Sequence, residues 1–195
     1  MRRVVWIGIL LLAVCLVPAC GEPAPNFSGL VVDNPGPAPD FTLTDQFGNP
    51  FTLSEQRGNV VLLFFGYVSC PDVCPTTLGI WRMVHEALGE DAARVRFVFV
   101  TVDPARDTPA RMKEHLAIFS PDFIGLSGAE EELARVYDAY GIVHEKVDAP
   151  DSALGYLVNH TASDFAIDTR GNLRLRHVFG STADEITHDV RLLLQ

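Results

Sequence analysis

The sequence predicts an α/β sandwich, a mixed central sheet flanked by helices and opened by an N-terminal β-hairpin. Three observations carry this. Val60 to Tyr67 is an uncharged apolar run that fits a strand buried on both faces. Segments with apolar residues at helical spacing alternate with such runs through the middle of the chain. Two strand-like stretches around a turn, then a helix, finish it. The 195 residues carry 48% hydrophobic and 21% charged side chains, which excludes wholesale disorder. A formal net charge of −10 argues against a nucleic-acid partner, which needs a basic face.

The first 20 residues read as a signal rather than as fold. Arg2 and Arg3 precede an apolar run from Val4 to Val17, which Pro18-Ala19-Cys20-Gly21 ends. The run is shorter than the roughly 18 residues that would span a bilayer. Its end is similar to a bacterial lipoprotein signal, so Cys20 is the expected lipidation residue. An uncleaved anchor and ordinary cleavage are the alternatives. Each places the rest of the chain outside the cytoplasm, held at or released from a membrane. Cleavage before Cys20 removes Arg2 and Arg3 and leaves 13 basic against 25 acidic residues, a charge of −12. Residues 21–38 are rich in proline and read as a solvated, extended tether. The folded domain is expected over 39–195.

Within the domain, Phe41 to Thr44 and Phe51 to Leu53 alternate around the turn residues of 46–50, giving the opening hairpin. The buried strand 60–67 follows. A helix over Thr76 to Leu88 has Leu78, Trp81 and Val84 at helical spacing, with Pro75 suited to its first position. Val95 to Val102 is a second buried strand. Thr108-Pro109 opens a helix carrying Met112, Leu116 and Phe119. Phe123 to Leu126 is a short strand. Ala129 to Tyr140 is a helix that Gly141 stops. Residues 142–155 read as irregular. Tyr156 to Ile167 and Leu173 to Val178 flank the turn-forming loop 168–172, and Thr182 to Leu194 closes the chain as a helix.

Four cysteines can be accounted for singly. Cys15 lies in the signal and Cys20 at its end, so Cys70 and Cys74 are the two thiols of the folded body. They lie where the buried strand turns into a helix, in Cys70-Pro71-Asp72-Val73-Cys74-Pro75. Four residues of spacing lets two side chains converge. A helix start favours thiolate, the form that metal binding and disulfide exchange both need. Two prolines and an aspartate packed around the cysteines argue against a purely structural pair.

This stretch resembles the Sco family, also called SenC, over about residues 36–195. Two further segments support the resemblance. Asp103-Pro104-Ala105-Arg106-Asp107-Thr108 looks like the family's Asp-Pro-x-x-Asp-Thr segment, and Tyr156-Leu157-Val158-Asn159-His160-Thr161 looks like its histidine-bearing segment. The opening hairpin matches too. The resemblance implies a thioredoxin-like fold, membrane tethering and copper ligation by Cys70, Cys74 and His160. It implies Cu(I), with Cu(II) as a second bound state, and a role in cytochrome c oxidase assembly. The expected partners are the copper-site subunit of the oxidase, another periplasmic copper chaperone, and a thiol reductant. Two thiolates and an imidazole suit soft Cu(I), whereas structural zinc usually takes a fourth ligand.

Of the six histidines, His85 and His115 sit on helices, and His144, His177 and His188 lie among polar neighbours. All five read as solvated surface groups. His160 rests mainly on the resemblance. Asn159 stands where the family often has Asp, which removes a charge beside the imidazole. Asp103 and Asp107 are candidates for support behind the metal, although turn chemistry and helix capping are the stronger reading of them. Copper transfer leads the functional readings. Thiol–disulfide exchange through Cys70 and Cys74 is the second, a peroxiredoxin-like peroxidase the third, and a structural tethered module the last.

Overall fold

The computed structural model describes residues 25–195. The signal 1–20 and the lipidation candidate Cys20 lie outside the described residues. No helix among the described residues is long and apolar enough to cross a membrane.

In chain order the elements are β1 (Leu30–Val31), β2 (Thr42–Asp45), β3 (Pro50–Thr52), β4 (Val60–Gly66), α1 (Val73–Leu88), β5 (Val95–Thr101), α2 (Pro109–Ala117), β6 (Ile124–Ser127), α3 (Glu130–Tyr140), β7 (His144–Ala149), β8 (Gly155–His160), β9 (Ser163–Ile167), β10 (Leu173–Val178) and α4 (Ala183–Leu193). Short 3₁₀ turns follow β3 and α1. Eight strands form one sheet in the order β1-β10-β9-β4-β5-β6-β2-β3. The pairs β4–β5 and β5–β6 are parallel and the others antiparallel, so the sheet is mixed.

All seven residues of β4 are buried because both faces of the sheet are covered. Phe64 packs edge-on against Trp81 of α1, with ring centroids 6.2 Å apart. The next residue, Phe65, meets Tyr137 and Tyr140 of α3 on the opposite face. Alternation along one strand thus assigns α1 and α3 to opposite layers. Gly125 lets α2 approach β6, since a Cβ there would lie 2.7 Å from Leu116 Cδ1. The result is the expected α/β sandwich with its opening hairpin, β2–β3.

Four stretches differ from the sequence reading. Residues 142–155 hold strand β7, and Tyr156 to Ile167 is two strands rather than one. The chain breaks at Thr161-Ala162, so β8 pairs with β7 in a separate two-stranded ribbon while β9 enters the main sheet. The ribbon was hard to see because β7, His-Glu-Lys-Val-Asp-Ala, is largely exposed and has no apolar face to reveal a period. The tether also touches the domain. β1 pairs with β10, Ala38 N–H donates to the Gly171 carbonyl at 2.9 Å, and Pro37 bridges Asn172. Backbone contacts hold it while Leu30 and Val31 stay exposed, so composition does not register them. Finally, α1 begins at Val73. Pro75 is therefore its third residue, still within the first turn, where a missing N–H leaves no bond unmade.

Candidate metal centre

β4 ends at Gly66 and the chain turns through Tyr67 to Asp72 into α1. Glycine is required at this exit. A Cβ on Gly66 would lie 2.9 Å from Cys74 Sγ and 2.8 Å from both Phe64 and Phe99. Asp72 is the N-cap residue, which puts Cys74 at the second helical position, among the unpaired N–H groups of the first turn. Its own N–H points at Cys70 Sγ, 3.5 Å away. Cys74 is fully buried and Cys70 half-buried, and both are free thiols.

His160 arrives from the other side as the last residue of β8. Its Nε2 lies 3.4 Å from Cys74 Sγ. The ring stands edge-on between Phe64 and Tyr67, each with centroids 5.9 Å away. Nδ1 is 3.1 Å from the Thr161 carbonyl, so in the neutral ring Nδ1 carries the proton and Nε2 turns its lone pair to the sulfurs. The ligand atoms of Cys70, Cys74 and His160 all lie within 4.8 Å of one another. Among the described residues this is the one His/Cys/Asp/Glu group with metal-site geometry.

The two thiols are electrostatically unequal. The Cys74 S–H donates to Cys70 and holds the Cys70 thiol far below the ordinary range, aided by the backbone N–H groups of Asp72 and Cys74. Cys74 is pushed up by that same hydrogen bond, by burial and by the Cys70 charge. The pair thus holds one proton on the inner sulfur and presents a thiolate on the outer one.

Asp103 and Asp107 are both buried. Asp107 Oδ2 accepts from Thr101 Oγ1 at 2.6 Å and from Val68 N–H at 3.1 Å, which fixes the backbone two residues before Cys70. Burial pushes its carboxyl up. Asp103 accepts from the Tyr156 hydroxyl at 2.8 Å and pairs with Arg106. The turn reading holds for Asp103, whose carbonyl accepts from the N–H groups of Arg106 and Asp107. The capping reading does not hold for Asp107, because Thr108 caps α2 by accepting from Arg111 N–H.

Asn159 is exposed, one residue from His160 on an alternating strand, and so on the other face of the ribbon. The imidazole is oriented by Thr161 instead. His177 is not a surface group: it is 1% exposed and bonded at 2.9 Å to Asp189, itself fully buried. His144 is exposed and packs edge-on against Tyr137, while His115 keeps a buried Nε2 without a partner. Tyr67, Arg106 and Tyr156 were missed. Tyr67 donates no sequence signal beyond ending a strand, but its hydroxyl accepts from Val158 N–H at 3.2 Å, beside the ligand histidine.

Comparison with known proteins agrees with this geometry. The family model described as SCO1/SenC matches residues 34–195. The "SCO2-like protein" of Rickettsia felis is 37% identical over 147 residues, covering 75% of this chain and 72% of that protein. A structure of Bradyrhizobium japonicum ScoI with copper bound superposes with a TM-score of 0.74 at 39% identity, over 81% of this chain and 99% of that one. Apo Sco1 from Thermus thermophilus gives 0.75 at 37% identity, over 86% and 97%.

Proposed function

The chain belongs to the SCO1/SenC family, and on that premise we propose that it is a membrane-tethered, extracytoplasmic copper chaperone that delivers copper to the dinuclear copper site of cytochrome c oxidase. The observation that carries this reading is the convergence of Cys70, Cys74 and His160 within 4.8 Å, in a chain similar to a ScoI whose structure holds copper. Two sulfurs and one nitrogen form a soft, low-coordinate donor set that suits Cu(I), and the imidazole supports retention of Cu(II). The half-buried Cys70 and His160 are open to an incoming ligand while Cys74 lies beneath them. Transfer then proceeds by ligand exchange, an acceptor thiolate replacing the outer donors first. A lipid on Cys20 would hold the domain at the outer face of the membrane, where it meets the oxidase subunit and a second periplasmic copper chaperone.

A second reading rests on the unequal thiols. The Cys70 thiolate attacks one sulfur of the oxidase subunit's disulfide and expels the other as a thiolate. Cys74, on losing its proton, attacks Cys70 Sγ in the mixed disulfide and releases the second thiolate. The subunit gains two electrons, the Cys70–Cys74 pair becomes a disulfide, and an external thiol reductant restores it. Both activities use the same sulfurs, and the copper-free protein is the reductant.

The test is deletion of the gene, followed by assay of oxidase-bound copper and rescue with Cys70→Ala, Cys74→Ala and His160→Ala. Loss of oxidase copper, restored by the native chain and by none of the variants, supports the assembly role. Normal oxidase copper in the deletion strain contradicts it.

A further inference from the structure

The three ligands come from two pieces of structure that barely share hydrogen bonds of their own. Cys70 and Cys74 belong to the turn and helix after β4. His160 sits at the end of a two-stranded ribbon that lies outside the main sheet. Besides the bond from Val158 N–H to the Tyr67 hydroxyl, the contacts that hold the ribbon against the cysteine turn converge on one side chain. Arg106 Nη1 donates to the carbonyls of Leu154 and Tyr156, each at 3.0 Å. Its guanidinium carbon lies 3.6 Å from the centre of the Tyr156 ring and 5.7 Å from that of Tyr67. Its Nε pairs with buried Asp103, which also accepts from the Tyr156 hydroxyl.

The same loop grips the cysteine side. The Arg106 carbonyl accepts from Arg111 Nη1 at 2.8 Å, and Arg111 Nη2 donates to Ser69, the neighbour of Cys70. Asp107, the next residue, holds Val68 N–H. On β8 the inward positions alternate as Tyr156, Val158 and His160. The first meets Arg106, the second is buried and gives its N–H to Tyr67, and the third meets Cys74. Fixing Tyr156 therefore fixes His160 four residues on, along a rigid strand.

We propose that Arg106 is a positioning residue for His160, a latch that holds the β7–β8 ribbon closed over the cysteine pair and whose release withdraws the histidine ligand. This inference rests on the copper-binding reading above. Arg106 Nη2 is buried without an acceptor, so the closed latch leaves one donor unsatisfied, a cost that opening to water removes. Opening leaves the metal on two sulfurs, the state from which an acceptor completes the exchange. Lysine cannot replace the group, since it lacks the planar fork that reaches two carbonyls and a carboxylate at once.

The test is a double-mutant cycle on Cu(I) affinity, by competition with a chelator, on the native chain, Arg106→Lys, His160→Ala and the double variant. Arg106→Lys is expected to weaken binding by about tenfold in the native background, the scale for groups that orient a metal ligand, and to have no effect once His160 is gone. Equal weakening in both backgrounds, or none in the native one, overturns the latch. Amide exchange of the copper-free Arg106→Lys chain reads it without metal: the amides of residues 155–160 should exchange faster while those of β4 and β5 do not change. Unchanged exchange at 155–160 overturns it. Failure of the copper reading shows differently, as His160→Ala binding Cu(I) as tightly as the native chain.

Discussion

Cys74 Sγ and His160 Nε2 lie 3.4 Å apart, though 86 positions separate them in the chain. The contact is made by two structural ends: the first turn of α1, and the last residue of a ribbon latched to the body by Arg106. Chemistry at this point depends on the asymmetry of the two cysteines and on how closely the strand exit lets the sulfurs approach.

The thiol asymmetry predicts alkylation behaviour. Cys70 has its thiol held well below the ordinary range, mainly by the Cys74 hydrogen bond, so it is a thiolate throughout the neutral region. Iodoacetamide should label Cys70 at a rate that stays flat between about pH 5 and 8, whereas an unperturbed thiol near 8.5 accelerates across that range. Cys74, buried and protonated, should remain unlabelled in the folded chain. Peptide mapping of labelled protein checks both. In Cys74→Ala the main donor is lost, and the Cys70 rate should regain its rise with pH.

Gly66 should tolerate no side chain. Alanine there puts a Cβ against the Cys74 sulfur and two aromatic rings in a fully packed region. Gly66→Ala should cost about 1–3 kcal/mol, the range for overpacking a core. It should also displace Cys74 and weaken Cu(I) binding. Denaturant unfolding and chelator competition measure the two effects separately.

Asp164 predicts a pH dependence of stability. It is fully buried, accepts from Trp81 Nε1 at 2.9 Å, and burial pushes its carboxyl up to about 7. A raised carboxyl binds a proton more tightly folded than unfolded. Its effect is therefore absent below the unfolded value near 4, grows as a destabilisation as pH rises, and saturates above about 7. At about 1.4 kcal/mol for each tenfold change in proton affinity, the loss is up to about 4 kcal/mol. Asp164→Asn keeps an acceptor for Trp81 and removes the charge. The native chain should lose stability relative to this variant between pH 5 and 8, and comparing the two cancels contributions from the other titrating groups.

The N-terminal segment should depend on Asp189. Its carboxylate accepts from Ser28 N–H and Gly29 N–H, both at 2.8 Å, and bonds His177. Asp189→Ala leaves a buried imidazole without its partner and frees the segment. A loss of about 3 kcal/mol is expected, together with faster proteolysis near residues 28–32. Loss of stability without new cleavage there would separate the segment's docking from the buried pair.

Burial explains what the sequence could show. β4 was legible because a strand covered on both faces has to be apolar throughout, and α1 because Leu78, Trp81 and Val84 share one buried face. The cysteine pair stood out by its place at a strand-to-helix junction. The β7–β8 ribbon was not legible, because Glu145 and Lys146 leave its first strand without an apolar period. His177 looked solvated because its sequence neighbours are Arg176 and Val178, while its actual partner, Asp189, comes from α4. Arg106 occupies an unspecified position of the Asp-Pro-x-x-Asp-Thr segment, and only the fold brings Leu154 and Tyr156 to it. Asp103 and Asp107 looked like turn residues because their partners Tyr156 and Val68 lie far along the chain.

Copper K-edge X-ray absorption of the reduced, Cu(I)-loaded chain tests the ligand set most directly. Two sulfur neighbours and one nitrogen per copper are expected, with the nitrogen lost in His160→Ala and one sulfur lost in Cys70→Ala. A native spectrum that lacks the nitrogen, or that is unchanged by His160→Ala, would contradict a site built from Cys70, Cys74 and His160.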